Sequence, residues 1–82
     1  MPYIKSDRRE GLESLDFIPE NNGELNFVLT TIINRYLVTH GHKYTYINDI
    51  LGALEGCKLE FYRRVVAPYE NLKCQENGDV YE

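Results

Sequence analysis

The run from Thr45 to Glu70, TYINDILGALEGCKLEFYRRVVAPYE, constrains the fold more than any other stretch of the chain. Ile47, Ile50, Leu51, Leu54, Cys57, Phe61 and Val65 recur at three- and four-residue steps. That spacing lines one face of an α-helix. The expected spine helix covers 46–67, with Thr45 as its N-cap. Pro68 lacks an amide hydrogen and collides with the carbonyl four residues earlier, so a kink is expected there, followed by a short turn over 69–72. The remainder, 73–82, reads as a polar tail whose order the sequence leaves open. Rotation by 100° per residue exposes a second stripe: Gly52, Gly56, Leu59, Arg63 and Val66. Two glycines inside a helix cost up to ~2 kcal/mol, so a close approach is expected to offset them. Its occupant stays open among the rest of this chain, a second subunit and a ligand.

The other helices follow from the same periodicity. Leu25, Val28, Leu29, Ile32, Ile33 and Tyr36 share one face of a helix over 24–39, with Asn22 as its N-cap and Gly41 closing it. A shorter helix over 7–15 starts behind Ser6, with Asp7 at the positive end of its dipole and Leu12 and Leu15 as apolar contacts. Asp16 to Gly23, DFIPENNG, is a connection stopped by Pro19. Phe17 and Ile18 are too apolar for a solvated loop, so one of them is expected to plug the core. The short link between the two long helices favours an antiparallel hairpin. The fold class is therefore all-α: one small domain made of a helical hairpin with a third, short helix.

An 82-residue chain can build only a thin core, and such cores are often reinforced by a disulfide, a metal or oligomerisation. Cys57 and Cys74 have no metal-ligand spacing with each other or with His40 and His42. Cys57 reads as a small thiol on the apolar face, and a bridge between the two cysteines stays open. No cofactor or metal is expected, and both histidines read as part of a solvated turn. Oligomerisation is the expected support, through Gly52, Gly56, Leu59 and Val66. A net charge of −4 argues against extended nucleic acid as a partner. No apolar run approaches a membrane span, and the start MPYIKSDRREG lacks a signal-peptide core. A cytoplasmic location is expected, in the host cytoplasm if the chain is viral.

Catalytic constellations are absent from the sequence pattern: no phosphate loop follows a strand, and no nucleophile has a nearby base. The one local concentration of chemistry is Tyr62-Arg63-Arg64 with Tyr69 close behind. Two arginines beside two tyrosines can clamp a phosphate and stack on a base. The plainer reading pairs Arg63 with an acidic residue of the tail or of another subunit, and packs Tyr62 and Tyr69 with Tyr36. Helix spacing pairs Glu55 with Lys58 and Glu60 with Arg64.

MPYI-K-S-DR at the start, GELNFVLT in the second helix, EFYRRVVAPYE in the spine and ENGDVY in the tail resemble an uncharacterised family of short phage and prokaryotic proteins. The resemblance spans nearly the whole chain. It implies a small helical protein and assigns no catalytic residue. A viral setting suggests, by analogy of size and architecture, a protein that sequesters a nucleotide immune signal. The leading expectation is a non-enzymatic oligomer presenting Arg63, Tyr62, Tyr69 and Arg64 to a phosphorylated small ligand. An inhibitor or adaptor acting through the glycine stripe is the alternative, and a small enzyme or accessory subunit ranks last.

Overall fold

The computed structural model describes residues 2–13 and 16–81. The all-α expectation holds: α1 is Ser6–Leu12, α2 is Asn22–His40, α3 is Tyr44–Phe61, a π-helical turn covers Tyr62–Val66, and α4 is Ala67–Asn77. Contacts cluster into two units, Tyr3–Gly52 and the chain from Ala53 onward, so the boundary falls inside α3.

In the first unit, α1 opens without a side-chain cap, and Ser6 is its first helical residue rather than its cap. Asp7 instead accepts from the amide of Arg8, and Arg9 lies 6.0 Å from the centre of the Tyr3 ring. The helix ends at Leu12, earlier than expected; the expected contact at Leu15 lies outside the described residues. The cap of α2 is Asn21, one residue ahead of Asn22, and its side chain accepts from the amide of Glu24 at 2.9 Å. Glu24 reaches back and accepts from the amide of Glu20 at 3.0 Å. Asn21 thus satisfies one orphan amide of the helix start, and Glu24 satisfies the amide just ahead of the cap.

At its other end α2 stops on Gly41, whose φ of +113° is closed to residues with a side chain. The Gly41 amide donates to the carbonyl of Leu37 at 2.7 Å. The connection to α3 is therefore only residues 41–43. The first turn of α3 hangs on the carbonyl of Lys43, so Thr45 sits inside the helix rather than capping it. Tyr36, His40 and Tyr46 meet at this corner: the first two rings stack at 4.2 Å, and Tyr46 approaches them edge-on or tilted. His40 Nδ1 lies 2.9 Å from the Tyr36 carbonyl. A carbonyl can only accept, so that nitrogen carries the hydrogen.

The expected core is not formed among the described residues of either unit. Among the described residues none is fully buried. On α2, Leu25, Leu29 and Ile32 are exposed, and on α3 so are Ile47, Leu51 and Leu54. The two stripes that should have faced each other are both open. Phe17 and Ile18 are exposed as well, so neither plugs a core. Phe17 instead lines a shallow apolar groove with Phe27 and Val28 beside the capped start of α2. Cys57, expected to be buried, is exposed, and both cysteines are free thiols.

In the second unit the helix does not break at Pro68. The amide of Ala67 donates to the carbonyl of Tyr62, five residues back, which widens one turn just ahead of the proline. A wider turn carries the preceding carbonyls off the path of the pyrrolidine ring, whose missing donor and bulk would otherwise disrupt the ladder. The expected turn over 69–72 is instead part of α4, which continues to Asn77. The first residues of the expected polar tail are therefore helical. Gly78, with φ +88°, closes α4 by donating to the carbonyl of Cys74 at 2.8 Å.

Candidate functional site

The three residues singled out for ligand binding at the end of the spine, Tyr62, Arg63 and Arg64, all lie in the π turn. Tyr69 stands in the first turn of α4. The sequence offered Pro68 as a signal for irregularity here, but not the form the irregularity takes.

The π turn changes which side chains share a face. In an unbroken α-helix, residues eight apart are offset by about 80° around the axis. One extra residue in the turn makes positions 62 and 70 equivalent to a seven-residue separation, an offset of about 20°. The Tyr62 hydroxyl accordingly donates to Glu70 Oε1 at 2.7 Å, across two turns. That bond, and then the negative charge of the carboxylate, raise the Tyr62 phenol above the ordinary tyrosine value, because an ionised phenol would face Glu70 without a proton to share. Tyr81 adds a smaller electrostatic contribution in the same direction. Tyr62, Glu70, Lys73, Cys74, Asp79 and Tyr81 line an open cleft on this unit.

The arginines divide differently from the sequence expectation. Arg63, not Arg64, pairs with Glu60, at a three-residue helical step. Glu60 is the half-buried member of that pair, with its side chain 20% exposed, which holds the arginine to its own helix. Arg64 makes no ion pair among the described residues. Glu55 and Lys58 pair as expected, at 3.6 Å. The Lys73 ammonium lies 5.6 Å from the centre of the Tyr69 ring. Tyr36 belongs to the corner with His40 and Tyr46. Sequence reasoning missed Glu70 beside Tyr62 because that placement depends on the widened turn, and Lys73 beside Tyr69 because the helix was expected to end at 72.

The glycine stripe is only partly open. A Cβ added at Gly52 would meet no atom within 4 Å, and Leu59 is exposed, whereas Gly56 and Val66 are half-buried. Among the described residues, nothing in the chain's own packing closes on Gly52.

Among the described residues no three His, Cys, Asp or Glu side chains converge as a metal site would require. No described helix is long and apolar enough to cross a membrane. A family model described as a domain of unknown function, DUF6899, matches residues 1–80, and the chain belongs to that family. The curated proteins and the solved structures hold no match to it.

Proposed function

We propose that this member of the family is a non-enzymatic binding protein whose working form is a homo-oligomer. The observation that carries the reading is the open apolar face on each long helix. At ~25 cal/mol per Å² of apolar surface, leaving those stripes in water forfeits a large part of the stability that a chain this short can reach. Light scattering on the eluted protein is expected to give the mass of a dimer or larger. A helical species with the mass of one chain would overturn the oligomeric part.

For the ligand, the reading keeps a phosphorylated small molecule such as a nucleotide. Tyr62, Arg63 and Arg64 occupy a π turn, an irregularity that recurs at functional sites, and Arg64 has no carboxylate partner among the described residues. Glu60 and Glu70 hold Arg63 and Tyr62, so an incoming phosphate has to displace or add to those pairs. A phage or prokaryotic origin, implied by the sequence resemblance, suits a small protein that captures a nucleotide signal. Calorimetric titration with linear and cyclic nucleotides tests this part, with binding that Arg64→Ala abolishes as the expected result. Silence across the panel removes it.

A protein partner is the second reading, and the open space over Gly52 favours it. An inhibitor or adaptor would then meet its target through Gly52, Gly56, Leu59 and Val66. Gly52→Leu should block that contact while leaving nucleotide binding intact.

A further inference from the structure

The first helix separates its charges by face. Lys5, Arg8 and Arg9 place three of the chain's nine lysines and arginines within five residues. At about 100° per residue, Lys5 falls between Arg8 and Arg9 on one arc of α1, and Asp7 and Glu10 each fall about 100° beyond its edges. The steps from Lys5 to Arg8 and Arg9 are three and four residues, which bring side chains together on a helix. Glu13, four residues after Arg9, is the nearest carboxylate by register. Among the described residues, neither it nor any other carboxylate forms an ion pair with Lys5, Arg8 or Arg9. Asp7 accepts instead from the amide of Arg8.

Arg9 carries a second, independent observation. It is half-buried, whereas Lys5 and Arg8 are exposed. Its Nε is buried and has no hydrogen-bond acceptor. Its guanidinium carbon lies 6.0 Å from the centre of the Tyr3 ring, a contact that uses none of its N–H groups. A guanidinium donates in one plane through Nε and its terminal nitrogens, a fork that matches two oxygens of one oxyanion. Nε has given up water without gaining an acceptor, so an oxyanion that reaches it supplies a bond the chain does not. Seating that oxyanion turns the side chain outward, and Tyr3, an exposed ring, can follow it. The helix amides are already used here: those of Arg8 and Arg9 both donate to the Lys5 carbonyl at 3.1 Å, so an anion on this arc is held by side chains.

We propose that Lys5, Arg8 and Arg9, with Tyr3 beside them, form a site for a phosphate group that is separate from the π turn. Three positive charges, two of them planar forks, suit a compact and multiply charged oxyanion better than a single carboxylate. The contrast with the π turn supports the assignment: there Glu60 holds Arg63, whereas here no carboxylate competes for the arginines. The proposal does not rest on the nucleotide reading above, and its residues all lie in the unit Tyr3–Gly52.

Calorimetric titration of the full chain with pyrophosphate tests it, because that anion has no base to stack on the tyrosines of the π turn. Uptake is expected in the parent and in Arg64→Ala. In Arg8→Gln/Arg9→Gln it should weaken by at least about tenfold, for the loss of two charge-assisted donors. Arg9→Lys keeps the charge and loses the fork, so it should weaken uptake by a smaller factor. Glu10→Gln perturbs the same helix outside the arc and should leave uptake intact. Sedimentation with vesicles of phosphatidylglycerol in phosphatidylcholine separates the sources of the phosphate. Given arginine-dependent uptake of pyrophosphate, a chain that stays in solution assigns a soluble ligand, and arginine-dependent sedimentation assigns a lipid headgroup as well. Silence with pyrophosphate overturns the proposal. So does uptake that Arg64→Ala abolishes and Arg8→Gln/Arg9→Gln leaves, or a loss in Glu10→Gln as large as that in the double variant. The nucleotide reading fails separately, since Arg64→Ala removes its step and leaves this one.

Discussion

The chain meets an interruption twice, at Gly41 and at Pro68, and resolves the two in opposite ways. At Gly41 the helix ends: the backbone enters a positive-φ region, the last carbonyl ladder closes on the Gly41 amide, and three rings fill the corner. At Pro68 the helix continues: one turn widens, and α4 runs on for 11 residues. A glycine without a Cβ gives the chain a conformation that no other residue shares, so it stops a helix firmly. A proline removes one donor and adds one clash, and both can be absorbed by a single extra residue in the preceding turn. The lesson is that proline decides register here, while glycine decides direction.

Gly41→Val applies the heaviest load to this contrast. A β-branched side chain at φ +113° should cost about 1–3 kcal/mol, read as a lower urea midpoint. An unchanged midpoint would mean the corner is not fixed by its glycine. Asn21→Ala tests the far end of the same helix, where a side chain rather than a special backbone conformation does the closing. Loss of its bond to the Glu24 amide should cost about 1 kcal/mol, so less than the glycine variant.

Pro68→Ala attacks the other interruption. With no ring to avoid, the turn is expected to relax to α-helical spacing, which swings Glu70 by about 100° relative to Tyr62. Helix content should hardly change, but the phenol should lose its elevation. Ultraviolet titration of phenolate is the readout. In the parent, Tyr62 ionises above the ordinary range, so its bond to Glu70 is intact below pH ~10 and is lost as pH rises through the raised value. Tyr62→Phe should delete that late-titrating phenol. This is the smallest of the effects, because the bond is exposed to water. If Pro68→Ala leaves the late-titrating phenol in place, register does not depend on the proline.

Much of the helical content was legible from spacing alone. Leu25 to Tyr36 and Ile47 to Phe61 repeat at three and four residues, and both runs are helical. Gly41 was legible as an end because its chemistry is local. Asn21 was missed by one residue, since Asn21 and Asn22 offer the same cap and only backbone geometry distinguishes them. The π turn was not legible, because a clash can be relieved by a kink or by a wider turn, and sequence does not choose between them. For the same reason Glu70 escaped notice as a partner of Tyr62, and Arg63 took Glu60 from Arg64. The open stripes were invisible for a different reason. A periodic pattern shows that a face wants cover, but not whose atoms provide it.

That last point is the central claim, and dilution tests it most directly. Helical ellipticity should be followed from tens of micromolar to low nanomolar concentration, with mass measured at both ends. If assembly completes the fold, the helical signal falls as the oligomer dissociates, and folding and mass change together. A signal that stays constant down to a species of one chain's mass would contradict the claim.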